Sequence, residues 1–157
     1  MVQIMKKYNI LIGTGIFWFL LDALTKGWVS GTHFKPIILI KDIFYFTAHK
    51  NTGIAFGIPV PQWIQIIGSI GILIFLTHFA ITHIKKLFLN QVLFGIILGG
   101  GVGNLVNRVY AGYVTDFIVL RPFPVFNLAD VGITVGIIIL FVSLLQNNNQ
   151  KNLINKQ

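Results

Sequence analysis

Residues 87–106 read LFLNQVLFGIILGGGVGNLV and contain no charged side chain. A helix needs roughly 20 mostly apolar residues to cross the hydrocarbon core of a bilayer, so this stretch is long enough to span a membrane. Its glycines Gly95, Gly99 and Gly103 are four residues apart and therefore share one face of a helix. Small residues on one face allow two membrane helices to approach closely. The stretch therefore predicts a membrane helix packed tightly against a second helix.

The composition of the whole chain agrees with a membrane protein. The 157 residues are 55% hydrophobic and 10% charged, and their mean hydropathy is +0.80. These polar side chains are too few to cover the surface of a soluble globular domain of this size. Besides residues 87–106, three further stretches are apolar enough for spans: residues 8–24, 63–84 and 131–145. We predict an α-helical integral membrane protein with four transmembrane helices.

The loops between these spans contain stretches with the composition of β-strands. Residues 43–48 (IFYFTA) and 113–120 (YVTDFIVL) are rich in aromatic and β-branched side chains, and Val125 and Phe126 stand between a proline and an asparagine. Backbone close to a membrane must pair with itself because little water is available there. We therefore expect a small sheet at the membrane surface.

Four spans place both chain ends on one face of the membrane and the two larger loops on the other. Each face carries six Lys and Arg side chains. The first helix and the short loops weigh most in the positive-inside rule, so the dilysine pairs at 6–7 and 85–86 favour cytoplasmic termini. We predict that residues 1–145 form a single domain and that the polar residues 146–157 form a disordered cytoplasmic tail.

The net charge of +8 indicates an anionic partner. The basic residues are spread singly or in pairs, unlike the aromatic-interleaved stripe of a nucleic-acid site, so we expect membrane lipid headgroups and no nucleic acid. The absence of cysteine excludes disulfides and thiolate metal sites. His78 and His83 are five residues apart and lie on different faces of a helix. We predict neither a metal nor a cofactor.

The few strongly polar side chains near the spans gather at one membrane face. Asp22 ends the first span, Asp116 lies in the second large loop and Asp130 opens the fourth span. A charge at mid-bilayer costs about 2.5 to 3.5 kcal/mol, which these positions avoid. The same face carries Asn51, Asn104, Asn107 and Arg108.

Asp116 and Asp130 have two interpretations. Asp130 can be a helix cap and Asp116 an ordinary strand or loop acid. Alternatively, two carboxyl groups at one interface of low dielectric resist simultaneous ionisation, so one keeps a proton while the other is charged. Such a pair can activate a water molecule and protonate a leaving amine.

Five short motifs follow one another along the chain. They are DALTK at 22–26, NTGIAFG at 51–57, GNLVNR at 103–108, VTDF at 114–117 and FNLAD at 126–130. In this order, and together with four spans, they resemble the lipoprotein signal peptidases (signal peptidase II) over nearly the whole chain.

The resemblance implies an aspartic endopeptidase of the bacterial cytoplasmic (inner) membrane, with Asp116 and Asp130 as its catalytic pair. It implies a small antiparallel β-cradle on the extracytoplasmic face. The implied substrate is a prolipoprotein that carries diacylglycerol on a cysteine and is cut just before that cysteine. We expect a monomer in which Asp22 and Lys26 support the architecture. The expected site-lining residues are Asn51, Gly53, Asn104, Asn107, Arg108 and Asn127.

One position departs from the family pattern. The family usually has Asp-Arg where this chain has Asn107-Arg108, so a negative charge beside the arginine is missing. A catalytically inactive or divergent relative that binds lipoprotein precursors therefore stays an alternative. A small proton-coupled transporter is the other alternative, but it predicts acids near mid-bilayer and inverted repeats, and the sequence shows neither.

Overall fold

The computed structural model describes residues 8–54, 58–83 and 88–154, which form four helices and three strands. The helices are α1 (Asn9–Val29), α2 (Gln62–His83), α3 (Phe88–Ala111) and α4 (Leu128–Ile154). The strands are β1 (Ile37–Ile40), β2 (Phe44–Asn51) and β3 (Val114–Leu120). The dilysine pairs at 6–7 and 85–86 lie outside the described residues, as do residues 55–57 of the NTGIAFG motif.

Three of these helices are long and apolar enough to cross a membrane. They are α1, α3 and the part Gln62–Thr82 of α2. The apolar part of α4, Leu128–Ser143, is shorter. Large apolar side chains such as Phe17 and Phe75 are more than 60% exposed on the outside of the helices, as expected for side chains that face lipid.

The helix ends differ from the sequence prediction in three places. α1 continues beyond residue 24 to Val29, and α3 continues beyond residue 106 to Ala111. The polar side chains in these extensions, Lys26 and Asn107, have hydrogen-bond partners in neighbouring elements, so the helices continue without leaving them unsatisfied. α4 continues beyond residue 145 to Ile154, and no glycine or proline stops the helix in this extension.

α3 is the central helix and packs against the other three. Half of its apolar stretch is buried inside the protein, whereas 11% of the corresponding stretch of α1 is buried. A side chain at Gly99 would collide with the backbone of Gly15 on α1, and one at Gly95 would collide with Thr14. The close packing predicted from the spaced glycines is therefore confirmed.

The sheet is antiparallel, in the order β1-β2-β3. The predicted strands at 43–48 and 113–120 are confirmed as β2 and β3, with β2 reaching Asn51. Phe126 forms only an isolated bridge to Ile118. β1 was not predicted from the sequence, and it is a short apolar run whose side chains are all exposed. In the register of β2 and β3, Asp116 lies opposite His49 near the end of the sheet that meets the helices.

Candidate active site

Asp130 belongs to the first turn of α4, where it forms a reciprocal cap with Asn127. The backbone N–H of Asp130 donates to Oδ1 of Asn127 at 3.0 Å, and the backbone N–H of Asn127 donates to Oδ2 of Asp130 at 3.3 Å. Two backbone donors that a helix leaves unpaired are satisfied in this way. Asp130 therefore takes part in capping α4, and the two hydrogen bonds with Asn127 hold its carboxyl group in one orientation.

Asp116 lies on β3 and is 1% exposed. Both of its carboxyl oxygens accept hydrogen bonds from side-chain amides. Asn127 Nδ2 donates to Oδ1 at 2.6 Å, and Asn51 Nδ2 donates to Oδ2 at 2.8 Å. Asn51 is itself oriented by the backbone N–H of Gly53, which donates to its Oδ1 at 3.0 Å. The end of β2 and the start of α4 therefore position Asp116 together.

Asn104 on α3 connects the two aspartates. Its Nδ2 donates to Oδ1 of Asp130 at 2.8 Å, and its Oδ1 accepts from Asn127 Nδ2 at 3.2 Å. The same Oδ1 accepts from Lys26 Nζ at 2.7 Å. Because both neighbours of the oxygen are donors, the amide of Asn104 can only turn its nitrogen toward Asp130. A continuous chain of hydrogen bonds thus runs from Asp116 through two asparagines to Asp130.

Asp22 and Lys26 form a buried ion pair behind this chain. Lys26 Nζ lies 2.6 Å from Asp22 Oδ2, and the two side chains are 3% and 0% exposed. The other oxygen of Asp22 accepts from the backbone N–H of Ala129 at 2.9 Å. Removing one partner of a buried ion pair typically costs about 3 to 5 kcal/mol. The pair joins α1 to the first turn of α4, the turn that carries Asp130.

Burial raises the pKa of Asp116 above its ordinary value of 3.8. Hydrogen bonds from Asn51 and Asn127 act in the opposite direction because they stabilise the ionised form. The negative charge of Asp130 raises the pKa of Asp116 further, and the charge of Lys26 lowers it. The net direction is upward, so Asp116 keeps a proton at pH values where an exposed aspartate has lost it.

Both carboxyl groups line one cleft with a volume of about 780 Å³. Its polar part contains the two aspartates together with His49, Asn51, Asn104 and Arg108. Its apolar part continues along α4 past Val131 and Val135. A pair of carboxyl groups at one end of an apolar cleft can exchange protons with water and with a bound substrate. This arrangement fits hydrolysis of a substrate that is itself partly apolar.

Three expected lining residues, Gly53, Asn107 and Asn127, are not among the residues that line the cleft. Asn127 is 0% exposed and acts on the site through its hydrogen bonds to Asp116 and Asn104. Oδ1 of Asn107 accepts from the backbone N–H of Thr115 at 3.2 Å. Asn107 therefore supports the start of β3, next to Asp116. Gly53 is buried and acts on the site only through Asn51.

Gln65 on α2 is a polar residue of the site that the sequence analysis missed. It is 7% exposed and accepts a hydrogen bond from Arg108 Nε at 3.0 Å. The signal available in the sequence was a glutamine inside a stretch predicted to span the membrane, where an unpaired amide is costly. Within residues 8–54, 58–83 and 88–154, no group of three or more His or Asp side chains is arranged to hold a metal ion.

Comparison with known proteins agrees in sequence and in fold. A family model described as signal peptidase (SPase) II matches residues 14–146. A lipoprotein signal peptidase of Bacillus velezensis is 33% identical over 144 residues, which cover 87% of this chain and 94% of the relative. One from Microcystis aeruginosa is 38% identical over 135 residues, or 79% of this chain and 84% of the relative. A solved bacterial membrane enzyme has a TM-score of 0.83 and 31% identity, and the match covers 91% of this chain and 92% of that one.

Proposed function

The chain belongs to the signal peptidase II family, and we propose that Asp116 and Asp130 are the carboxyl groups with which it cleaves its substrates. Its relatives are lipoprotein signal peptidases, and the chain is an aspartic-type enzyme that removes the signal peptides of prolipoproteins. One observation carries the assignment of the pair: hydrogen bonds join Asp116 through Asn127 and Asn104 to Asp130, and both aspartates line one cleft.

In the proposed reaction one carboxyl group of the pair is ionised and the other holds a proton. The ionised group takes a proton from a water molecule while the water oxygen attacks the carbon of the scissile peptide bond, and the other group donates its proton to the carbonyl oxygen. The tetrahedral intermediate then collapses, the C–N bond breaks and a proton passes to the leaving amine nitrogen. The raised pKa of Asp116 supports this scheme because the pair must retain one proton at working pH.

The three asparagines Asn51, Asn104 and Asn127 hold the pair without taking part in proton transfer. An amide neither gains nor loses a proton near neutral pH, so it can orient a carboxyl group in every step of the cycle. Asp22 and Lys26 support this scaffold from α1. Preorganised donors of this kind lower the barrier because they need no rearrangement during the reaction.

The apolar part of the cleft suggests where the lipid of the substrate lies. We propose that the substrate carries diacylglycerol on the cysteine that follows the scissile bond, and that the acyl chains pass between the helices along α4. Val131 and Val135 line this part of the cleft. Each buried methylene contributes about 0.8 kcal/mol, so the lipid supplies much of the binding free energy.

We further propose a monomer with four spans in the bacterial inner membrane, both termini in the cytoplasm and the cleft on the extracytoplasmic side. Three helices are long enough to span the bilayer, and the apolar part Leu128–Ser143 of α4 supports a fourth span. The polar network lies where β3 and the first turn of α4 meet α3 and α1, as expected for a site at a membrane surface.

The decisive experiment incubates the purified protein with a precursor that carries diacylglycerol on its cysteine and follows release of the signal peptide. We expect cleavage just before the lipidated cysteine, and no cleavage of the same precursor without lipid. EDTA is the control for a metal-dependent contaminant and should leave the rate unchanged, because the proposed mechanism uses two carboxyl groups alone. Equal cleavage with and without lipid would contradict the proposed substrate.

A further inference from the structure

Both N–H donors of the Gln65 side chain form hydrogen bonds with the loop that connects β2 to α2. Its Nε2 donates to the backbone carbonyl oxygens of Thr52 at 2.9 Å and Val60 at 2.6 Å. The two carbonyls lie near opposite ends of the segment that connects β2 to α2. A primary amide has two N–H donors, so both are satisfied here. Gln65 thus ties this segment to α2 close to the cleft.

The remaining polar atom of Gln65, its Oε1, accepts from Nε of Arg108 at 3.0 Å. Arg108 is half-buried and lines the cleft that contains both aspartates. Among the described residues, Arg108 makes no salt bridge with either aspartate, since the ion pair of Lys26 with Asp22 is the one within 4.0 Å. A guanidinium has five N–H donors, and the contact with Gln65 uses one of them. In the part of the chain that the structure describes, the others have no protein acceptor, and they can donate to a ligand in the cleft.

A substrate peptide in the cleft offers backbone carbonyl oxygens as acceptors. Arginine has donors and no acceptor, and its rigid planar fork points these donors in fixed directions, so the orientation of the plane decides which oxygen atoms they reach. The hydrogen bond to Nε sets that plane, because Nε belongs to the planar group itself. The acceptor that fixes the orientation is Oε1 of Gln65.

We infer that Gln65 is a positioning residue for substrate binding: it orients the guanidinium of Arg108 so that this group donates to carbonyl oxygens of the signal peptide. This inference rests on the proposed function. Among the described residues Oε1 of Gln65 contacts Arg108 and neither aspartate, so loss of this acceptor should affect binding of the peptide and leave the proton-transfer step unchanged.

Gln65→Leu removes the acceptor, together with the two donors to the loop carbonyls, and keeps a side chain of similar volume. Gln65→Glu lacks the same donors, so the comparison of the two variants isolates the acceptor. We expect KM for the lipidated precursor to rise about tenfold, with kcat within about twofold of the parent, because an interaction with a charged group is lost from binding. Gln65→Glu supplies a carboxylate acceptor for Arg108 and should return KM to within about threefold of the parent. A role in folding alone would instead lower kcat in proportion to the folded fraction and leave KM unchanged.

The chain offers a matched control in Gln62, which lies one turn earlier on α2. Its Nε2 donates to the backbone carbonyl of Arg108 at 2.7 Å and does not touch the guanidinium. Gln62→Leu should therefore leave KM within about twofold of the parent. An equal rise of KM in the Gln62 and Gln65 variants would overturn the inference.

Gln65→Lys covers the case in which the leucine variant does not fold. Lysine keeps donors for the two loop carbonyls but offers no acceptor and repels Arg108. A KM at least about tenfold higher for Gln65→Lys than for Gln65→Glu supports the inference, and equal KM values contradict it.

The parent protein and the Asp116→Asn variant are assayed in the same experiment as controls for the proposed function. Failure of the parent to cleave would refute the proposed function, whereas a cleaving parent with unaltered KM in the Gln65 variants refutes only the role of Gln65.

Discussion

Asn127 donates a hydrogen bond of 2.6 Å to Asp116 while its own side-chain oxygen caps the helix that carries Asp130. A single asparagine, 0% exposed, therefore sets the position of one carboxyl group directly and of the other through the backbone. Rigid support of this kind keeps two groups in working geometry when no substrate is bound.

The first prediction concerns the carboxyl pair. Asp116→Asn and Asp130→Asn preserve volume but cannot take up or release a proton. General acid–base assistance is worth about 10²- to 10⁴-fold, and loss of water positioning adds to it, so each variant should cleave at least about a thousandfold more slowly. The double variant should be scarcely slower than either single one, because the two groups act as a unit. Near-parental release of signal peptide by Asp116→Asn would exclude the aspartic mechanism.

Asn127 allows its two roles to be separated. Serine is as good a helix cap as asparagine but has no amide to reach Asp116, so Asn127→Ser should keep the cap and lose the buried hydrogen bond to Asp116. Its cleavage rate should fall about a hundredfold, since a preorganised donor is lost from the site. The matched measurement is Asn127→Ala, which loses the cap as well and should unfold at a lower temperature than Asn127→Ser. If Asn127→Ser cleaves the precursor at the parental rate, the amide of Asn127 is not required for cleavage.

The raised pKa of Asp116 predicts how stability depends on pH. A carboxyl group whose pKa is higher in the folded state than its ordinary 3.8 binds its proton more tightly when folded. Its contribution to stability is therefore present below pH 3.8 and is lost as pH rises through the folded pKa. The Asp116→Asn variant has no such loss, so its unfolding temperature in detergent should rise relative to that of the parent as pH increases above 3.8. If the difference in unfolding temperature between Asp116→Asn and the parent stays constant or shrinks as pH rises, the raised pKa of Asp116 is contradicted.

A substitution of Asn107 tests the alternative that this chain is a catalytically inactive relative of the signal peptidases. Asparagine at this position accepts a hydrogen bond from the backbone of Thr115, and aspartate can do the same. Asn107→Asp should leave cleavage within about tenfold of the parent, because an added charge partner at a partly wet interface is worth about 1 kcal/mol. A parent that is inactive and an Asn107→Asp variant that cleaves would identify the chain as the inactive relative.

The orientation proposal is tested with topology reporters. A reporter fused after Gln157 should report the cytoplasm, and one inserted near Lys35, in the loop between α1 and β1, should report the outside. The four proposed spans put the C-terminus and this loop on opposite faces of the membrane, so the two results should differ. The reverse pattern would place the cleft on the cytoplasmic side.

Much of this protein follows from its sequence. Uncharged stretches of sufficient length predict the helices, because a bilayer accepts few other backbone structures. The spacing of Gly95, Gly99 and Gly103 predicts close helix packing, since side-chain direction repeats with the helical turn. Asp116 and Asp130 stand out for a similar reason, as acids are rare in so apolar a chain.

Only the tertiary structure decides which polar groups meet. Asn107 and Arg108 are neighbours in the sequence, yet one contacts the backbone of β3 and the other contacts Gln65 on α2. Adjacent residues on a helix point about 100° apart, so their partners depend on which elements pack on each side. Gln65, Asn104 and Lys26 lie on three different helices, and each forms a hydrogen bond with a residue far away in the chain. Local sequence patterns do not predict these partners. Their roles arise from helix packing, which brings together hydrogen-bonding groups that are far apart in the chain and too costly to leave unpaired.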